Sequence, residues 1–263
     1  MGSKWLALAL CLAVGCKGVG GVRLDSKQPL VLTAAEADRQ RGAALKLVAE
    51  QPRTLDRMAK AARMLDEVAR ALPADYDAQW QAAEALAFVS ETDSQVAART
   101  RAAKTGLALA RQGRELQPDR VECHYWYAIN VGLLADVDRS YGLNAVGEME
   151  AALKRAGELN ERYDYGGPGR VLGILHLRTP APPVSIGSPR KALRLLQHAT
   201  ELFPDYPENW LYLAEALRDT EHPKEARDYW KKVIAAPPWP DRQFESGRWK
   251  TAAGQLLATV PTQ

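Results

Sequence analysis

Sulfur and phenylalanine are scarce in this chain: three cysteines, four methionines and three phenylalanines in 263 residues. Cys11 and Cys16 sit at the extreme N-terminus, and Cys123 is the only other cysteine. That pattern excludes a disulfide framework. No histidine/asparagine constellation accompanies Cys123, so it reads as a small buried hydrophobe and not as a catalytic thiol. The four histidines, His124, His176, His198 and His222, are far apart, and none has a histidine or cysteine three or four residues away. A metal site is not expected. Gly-x-Ser-x-Gly, Walker and dinucleotide motifs are missing, and no acid/base or nucleophile set stands out, so the sequence implies neither an enzyme nor a cofactor. Charge of one sign is also lacking. Lys plus Arg total 35 against 32 Asp plus Glu, a formal net of +3. Without the first fifteen residues, which hold Lys4 alone, the net is about +2, too small and too evenly spread for a nucleic-acid binder.

Alanine and leucine are abundant instead, and they favour helix over sheet. No segment shows sustained strand alternation. The chain opens with one positive side chain, Lys4, and the apolar run Trp5–Val14 (WLALALCLAV). About ten residues suit a signal peptide and fall short of a bilayer span. The run ends Ala13-Val14-Gly15-Cys16 and resembles the bacterial lipoprotein lipobox, with Ala13 where that motif usually has leucine. The resemblance implies cleavage after Gly15 and lipidation of Cys16. A plain secretory peptide is the alternative. Met-Gly at the start does not make a myristoylation site, because Leu6 stands where that motif wants Ser or Thr. Residues 16–32 then form a tether, flexible at Gly18-Val19-Gly20-Gly21. Lys17 follows the cysteine where an aspartate would favour inner-membrane retention, which points to the outer membrane, facing the periplasm.

Residues 33–263 read as one helical-repeat domain. Asn209–Pro238 shows two short helices. Trp210, Leu213, Ala214 and Leu217 share one face of the first; Ala226, Trp230 and Val233 share one face of the second, which stops at Pro237-Pro238. Small residues at fixed points let two helices approach, large ones fill the groove, and proline ends the ladder. The second-helix pattern recurs as Ala61/Leu65/Val68/Pro73, Gly106/Ala110/Gly113/Pro118, Ala192/Leu196/Ala199/Pro204, and Ala152/Ala156/Leu159 followed by Asp164. These offsets match the tetratricopeptide repeat. The implied fold is all-α, an α-solenoid of about five such hairpins, closed by a capping helix over Arg242–Thr259.

First helices are expected over Ala34–Glu50, Asp77–Val89, Val121–Ala135, Pro168–Leu177 and Pro207–Arg218. Second helices are expected over Thr54–Leu72, Gln95–Leu116, Gly147–Tyr163, Pro189–Phe203 and His222–Ala235. Thr33 with Glu36 has capping-box spacing, and Ser188-Pro189 places proline at the first helical position. The terminators at 73, 118, 164, 204 and 238 are farther apart than 34 residues except for the last pair. Helices are therefore extended or loops inserted. Candidate insertions are Ser90–Ser94, Asp136–Leu143 and the Pro-, Gly- and Ser-rich Leu177–Pro189.

Across Val121–Pro238 the run YWYAINVGLLADVDRSYGLNAVGEMEAALKRAGELNERYDYGGPGRVLGIL, followed by the Pro-rich loop and KALRLLQHATELFPDYPENWLYLAEAL, resembles TatT, the T-component lipoproteins of TRAP-type transport systems. The resemblance rests on a helix ending in a Tyr/Asp pair, a Gly-Gly-Pro-x-Arg turn, a short helix with Leu-Gly, and an asparagine before the last repeat. It implies a periplasmic partner, a solute-binding protein, and a channel through the helical stack that could admit a hydrophobic small ligand.

Gly166-Gly167-Pro168-Gly169-Arg170 is not a phosphate loop. It lacks Lys-Ser/Thr and follows a helix, so it reads as a turn that re-aims the next helix through a positive-φ glycine. Tyr125, Trp126 and Tyr127 are consecutive on one helix and cannot all face one core. Tyr127 takes the packing position. Tyr125, Trp126, Asn130, Tyr165 and Arg170 are the candidate lining of a ligand or partner pocket, with an aromatic core plus one satisfied asparagine as the alternative. The expected function is binding of a partner or ligand in the envelope, as a TRAP accessory or as a generic scaffold for envelope assembly. Membrane contact is expected through the lipid anchor, and self-association is left open.

Overall fold

The structure, a computed structural model, describes residues 32–259. The apolar leader, Cys16 and the tether up to residue 31 lie outside those residues. Eleven α-helices run through the described residues, with no strand among them. The chain divides into two compact units, the first ending at Ala152 and the second beginning at Leu153.

The first unit holds α1 (Ala34–Ala49), α2 (Leu55–Ala71), α3 (Tyr76–Thr92), α4 (Val96–Leu116), α5 (Val121–Val137), a 3-10 turn at Arg139–Tyr141, and the start of α6 (Gly142–Asn160). Neighbours in sequence from α1 to α5 pack on one another, and α3 also touches α5. The second unit holds the end of α6 and then α7 (Tyr163–Arg178), α8 (Pro189–Leu202), α9 (Pro207–Asp219), α10 (Pro223–Ala235) and α11 (Gln243–Ala258). From α7 onward successive helices again pack together, and α9 touches both α7 and α11. Contact between alternate helices is what stacked hairpins require, because each hairpin has an apolar side only its neighbour can cover.

The repeat positions explain the core. Trp210, Leu213, Ala214 and Leu217 are buried on α9, as are Ala226, Trp230 and Val233 on α10. Trp230 is wholly enclosed. A large apolar side chain so enclosed contributes up to about 3 kcal/mol. Ala61, Leu65 and Val68, and Ala192, Leu196 and Ala199, are buried in the same way, whereas Leu159 at the incomplete quartet is only half-buried. The glycines of the fourth helix have a steric reason. A Cβ at Gly106 would lie 2.4 Å from Asn130 Oδ1, and one at Gly113 would lie 2.1 Å from Cys123 Sγ. Alanine would not fit where α5 comes this close.

Local signals set the helix starts. The Glu36 N–H donates to Thr33 Oγ1 and the Thr33 N–H donates to the Glu36 carboxylate at 2.8 Å, a complete capping box. Ser188 Oγ accepts from the Lys191 N–H ahead of Pro189. The lengthened repeats have two different causes. Ser90–Ser94 is not an inserted loop: α3 continues to Thr92, and Ser90 is buried with its hydroxyl on the Arg99 carbonyl. Likewise 136–143 is absorbed by the end of α5, the 3-10 turn and an early start of α6, five residues before the expected Gly147. Only 179–188 is a true insertion.

A kink within the first turn of α7 departs from expectation. Asp164 (φ 46°), Tyr165 (φ 56°) and Gly166 (φ 82°) are all left-handed, so the reversal falls on two non-glycine residues as well as on the glycine. Each left-handed non-glycine residue costs about 1–2 kcal/mol. The contacts that hold this conformation come from elsewhere in the second unit.

Candidate binding face and the Arg170 cluster

In the first unit α3 is almost entirely enclosed. Its only residues reaching solvent are Asp77, Trp80, Gln81, Glu84, Glu91 and Thr92. On α5 only Glu122, Trp126, Ile129, Asp136 and Val137 do so. Both sets follow three- and four-residue spacing, which is one stripe of a helix. Because α3 touches α5, the two stripes belong to adjacent helices.

Arginines from other elements hold the carboxylates of these stripes. Arg41 of α1 bonds Asp75 at 3.0 Å, approaches Asp77 at 3.5 Å and donates to Gln81 at 2.8 Å. Arg120 pairs with Asp77 at 3.2 Å and with Glu122 at 2.6 Å, and its guanidinium lies 4.4 Å from the centre of the Tyr76 ring. The Tyr76 hydroxyl donates to Glu122 and accepts from the Cys123 N–H. Arg99 joins Asp136 at 2.6 Å and donates to the Ser90 carbonyl, fastening α3, α4 and α5 together. Trp80 donates its indole N–H to Asp77. The result is a fixed row of carboxylates and guanidiniums with two half-buried tryptophans, suited to charged hydrogen bonds and stacking.

Tyr125, Trp126 and Asn130 lie in this first unit; Tyr165 and Arg170 lie in the second. Tyr125 is buried with its ring edge-on to Trp126, centroids 5.1 Å apart, and Tyr127 is buried too. Of the three consecutive aromatics, Trp126 is the one that reaches solvent. Asn130 is fully buried and donates to the carbonyls of Ala83 and Trp126 at 3.2 and 2.9 Å, locking α5 to α3. Burial pushes the Cys123 thiol up to about 12, so no thiolate forms near neutral pH.

Arg170 is buried at the kink and reaches many acceptors. Nη1 donates to the Asp164 and Tyr165 carbonyls and to Asn209 Oδ1, each at 3.1 Å. Nη2 meets the Asp164 carboxylate at 3.0 Å, and Nε meets Glu208 at 3.1 Å. Asn209 in turn donates to the Tyr165 and Ala199 carbonyls. The carbonyls exposed by the left-handed turn are thereby satisfied. Tyr165 stacks on Tyr206 at 4.5 Å, meets Phe203 and Trp239 edge-on, and donates its hydroxyl to Asp241. Arg242, the residue before α11, pairs with Asp164 at 3.1 Å. This cluster ties α7, α9 and the start of α11 together. Its Arg170 donors serve the turn itself.

The sequence reading missed Trp80, Asp77, Glu84 and the arginines that face them. A signal was available: Asp77, Glu84 and Glu91 recur every seventh residue on a helix that is otherwise mostly apolar. No group of three or more His, Cys, Asp or Glu that could hold a metal ion occurs among the described residues, and no helix there is long and apolar enough to cross a membrane.

Residues 47–165 match the family described as Regulator of microtubule dynamics protein 1-3. No curated protein matches the chain. Among solved structures, a thermophilic TPR protein of Thermus thermophilus is similar at TM-score 0.61 and 18% identity, over 82% of this chain and 98% of that one. PilF of Pseudomonas aeruginosa is similar at TM-score 0.53 and 16% identity, over 84% and 91%. At such identities the likeness is one of fold. The fold of this chain is that of the tetratricopeptide-like helical-hairpin proteins.

Proposed function

We propose that this chain is a lipid-anchored protein of the bacterial envelope, on the outer membrane facing the periplasm, that holds a protein partner on the α3–α5 face. Its specific role in this reading is accessory to a TRAP-type transport system, with a periplasmic solute-binding protein as the partner. The observation that carries partner binding is the face itself: two adjacent helices whose solvent-reaching residues include a carboxylate row held by arginines together with Trp80 and Trp126. Pre-set charged groups around half-buried tryptophans favour a polypeptide over a hydrophobic small ligand. Support for the envelope comes from the apolar run before Cys16, and support for the transport role from the sequence resemblance across Val121–Pro238. The second reading, a generic scaffold for envelope assembly, is favoured by structural likeness to tetratricopeptide proteins at large.

The test is capture from detergent-extracted native membranes with the parent chain and with Trp80→Ala/Trp126→Ala. Recovery of a solute-binding protein by the parent and its loss in the variant supports the transport role. Recovery of other envelope proteins with the same loss supports the scaffold. Equal capture by both chains overturns the face. Mass spectrometry of the native N-terminus tests the anchor, and an unmodified thiol at Cys16 defeats it.

A further inference from the structure

Charge is unevenly distributed in the second unit. From Tyr165 to Thr200 there is no Asp or Glu, while Arg170, Arg178, Arg190, Lys191 and Arg194 fall in the same stretch. Arg170 is bound up in the kink, and Arg178 pairs with Glu215 on α9. The other three are exposed on the first two turns of α8, with no ion pair to any carboxylate among the described residues. Arg190 and Lys191 occupy the first turn, where the helix dipole favours acids and repels cations. A helix that places cations there, with no acid alongside, gains nothing in stability from them.

The loop that leads into this helix is built to protrude. Ala181, Pro182, Pro183 and Val184 are all exposed, Val184 by 63%. Its neck is fastened. The Gly187 N–H donates to the Pro180 carbonyl at 2.8 Å and the Ser188 N–H to the His176 carbonyl at 2.9 Å. His176, buried, donates its Nδ1–H to the Ile186 carbonyl at 2.8 Å. The neck is so close that a Cβ on Gly187 would lie 2.0 Å from the Thr179 oxygen. A fixed apolar tip therefore stands six residues before Arg190, within about 20 Å by chain length.

From this juxtaposition we infer a membrane-docking edge: the tip Ala181–Val184 enters the headgroup layer of an anionic bilayer while Arg190, Lys191 and Arg194 bind its phosphates. Apolar residues flanked by long cations are the pattern that sits at such an interface, the cations keeping their charged ends in the polar layer. Nucleic acid would use the cations and leave the apolar tip unburied. An acidic protein is the competing occupant, and the experiment separates it. A basic patch is a separate signal that adds to the hold of any acyl chain. The edge acts with or without such a chain, and independently of the α3–α5 face.

The experiment is co-sedimentation of the full chain with phosphatidylcholine vesicles, pure or with about one third phosphatidylglycerol. The variants are Arg190→Gln/Lys191→Gln/Arg194→Gln and Val184→Ser, with thermal melting to confirm that these exposed changes leave the fold intact. Binding by the N-terminal apolar run alone, with Lys4 and Lys17 beside it, would be equal in all chains. The parent is expected to prefer anionic vesicles and to lose that preference at high salt. Each cation near the surface is worth about fivefold, so the triple variant should lose about a hundredfold. Val184→Ser should lose about fivefold. Equal binding of parent and triple variant, or no preference for anionic vesicles, overturns the inference. So does binding of soluble polyglutamate through the same three cations without vesicle preference, which would assign the patch to an acidic protein.

Discussion

Gly113 of α4 lies against Cys123 of α5 so closely that a Cβ on the glycine would stand 2.1 Å from the sulfur. The two residues define the separation of the helices, and the thiol is the bulk that glycine accommodates. Gly113→Ala should therefore destabilise the first unit by about 1–3 kcal/mol through overpacking, less about 1 kcal/mol returned by helix propensity. The decisive comparison is Gly113→Ala/Cys123→Ala. Removing the sulfur opens the space the methyl needs, so the double variant should melt above Gly113→Ala. If the two substitutions add without coupling, the contact is not what sets the helix spacing.

Arg170 holds the left-handed turn through its planar fork, with acceptors on Asp164, Tyr165, Glu208 and Asn209. Arg170→Met should cost about 3–5 kcal/mol, because Asp164 and Glu208 lose the cation that satisfies them in a buried place. Arg170→Lys should recover little of this, since one ammonium cannot reach so many acceptors in a plane. Thermal melting, with near-ultraviolet circular dichroism for the packed rings of Tyr165, Tyr206 and Trp239, reads both effects. Full recovery by lysine would mean that charge alone matters at this turn.

Trp126 reaches solvent and Tyr125 does not. If the α3–α5 face holds the partner, Trp126→Ala should weaken capture by about 2 kcal/mol or more. Tyr125→Ala should chiefly lower the melting temperature, through a cavity in the core. A variant pair that weakens binding and stability in the same ratio would show that Trp126 acts only through packing.

The helices were legible because their signals are local: alanine and leucine at three- and four-residue spacing, the Thr33/Glu36 box, the Ser188-Pro189 start. The kink was legible at Gly166 and not at Asp164 or Tyr165. What holds those two residues left-handed includes Asn209, Glu208 and Arg242, each about forty or more residues away in sequence, and no local pattern announces such partners. The face was partly legible. Nearly all of α5 is apolar or aromatic, so periodicity did not tell Tyr125 from Trp126, and the pairing of Arg41 and Arg120 with Asp77 exists only once α1, α3 and α5 are assembled.

Asp66 supplies a test in pH. Its carboxyl is buried on α2, and although Arg70 pairs with it at 2.7 Å, burial outweighs that attraction and raises its pKa above the ordinary aspartate value of 3.8. The folded state therefore holds the proton more tightly than the unfolded chain does. Between the ordinary value and the raised one the unfolded chain binds fewer protons, so stability falls as pH rises through that window. Asp66→Asn removes the titration while keeping the shape. Its stability relative to the parent should improve as pH rises from below 3.8 through the window and then level off toward neutrality. Chemical denaturation of both chains across that range gives the difference directly. A parent that gains on the asparagine variant as pH rises would mean that Arg70 outweighs burial and that the pair stabilises the ionised form.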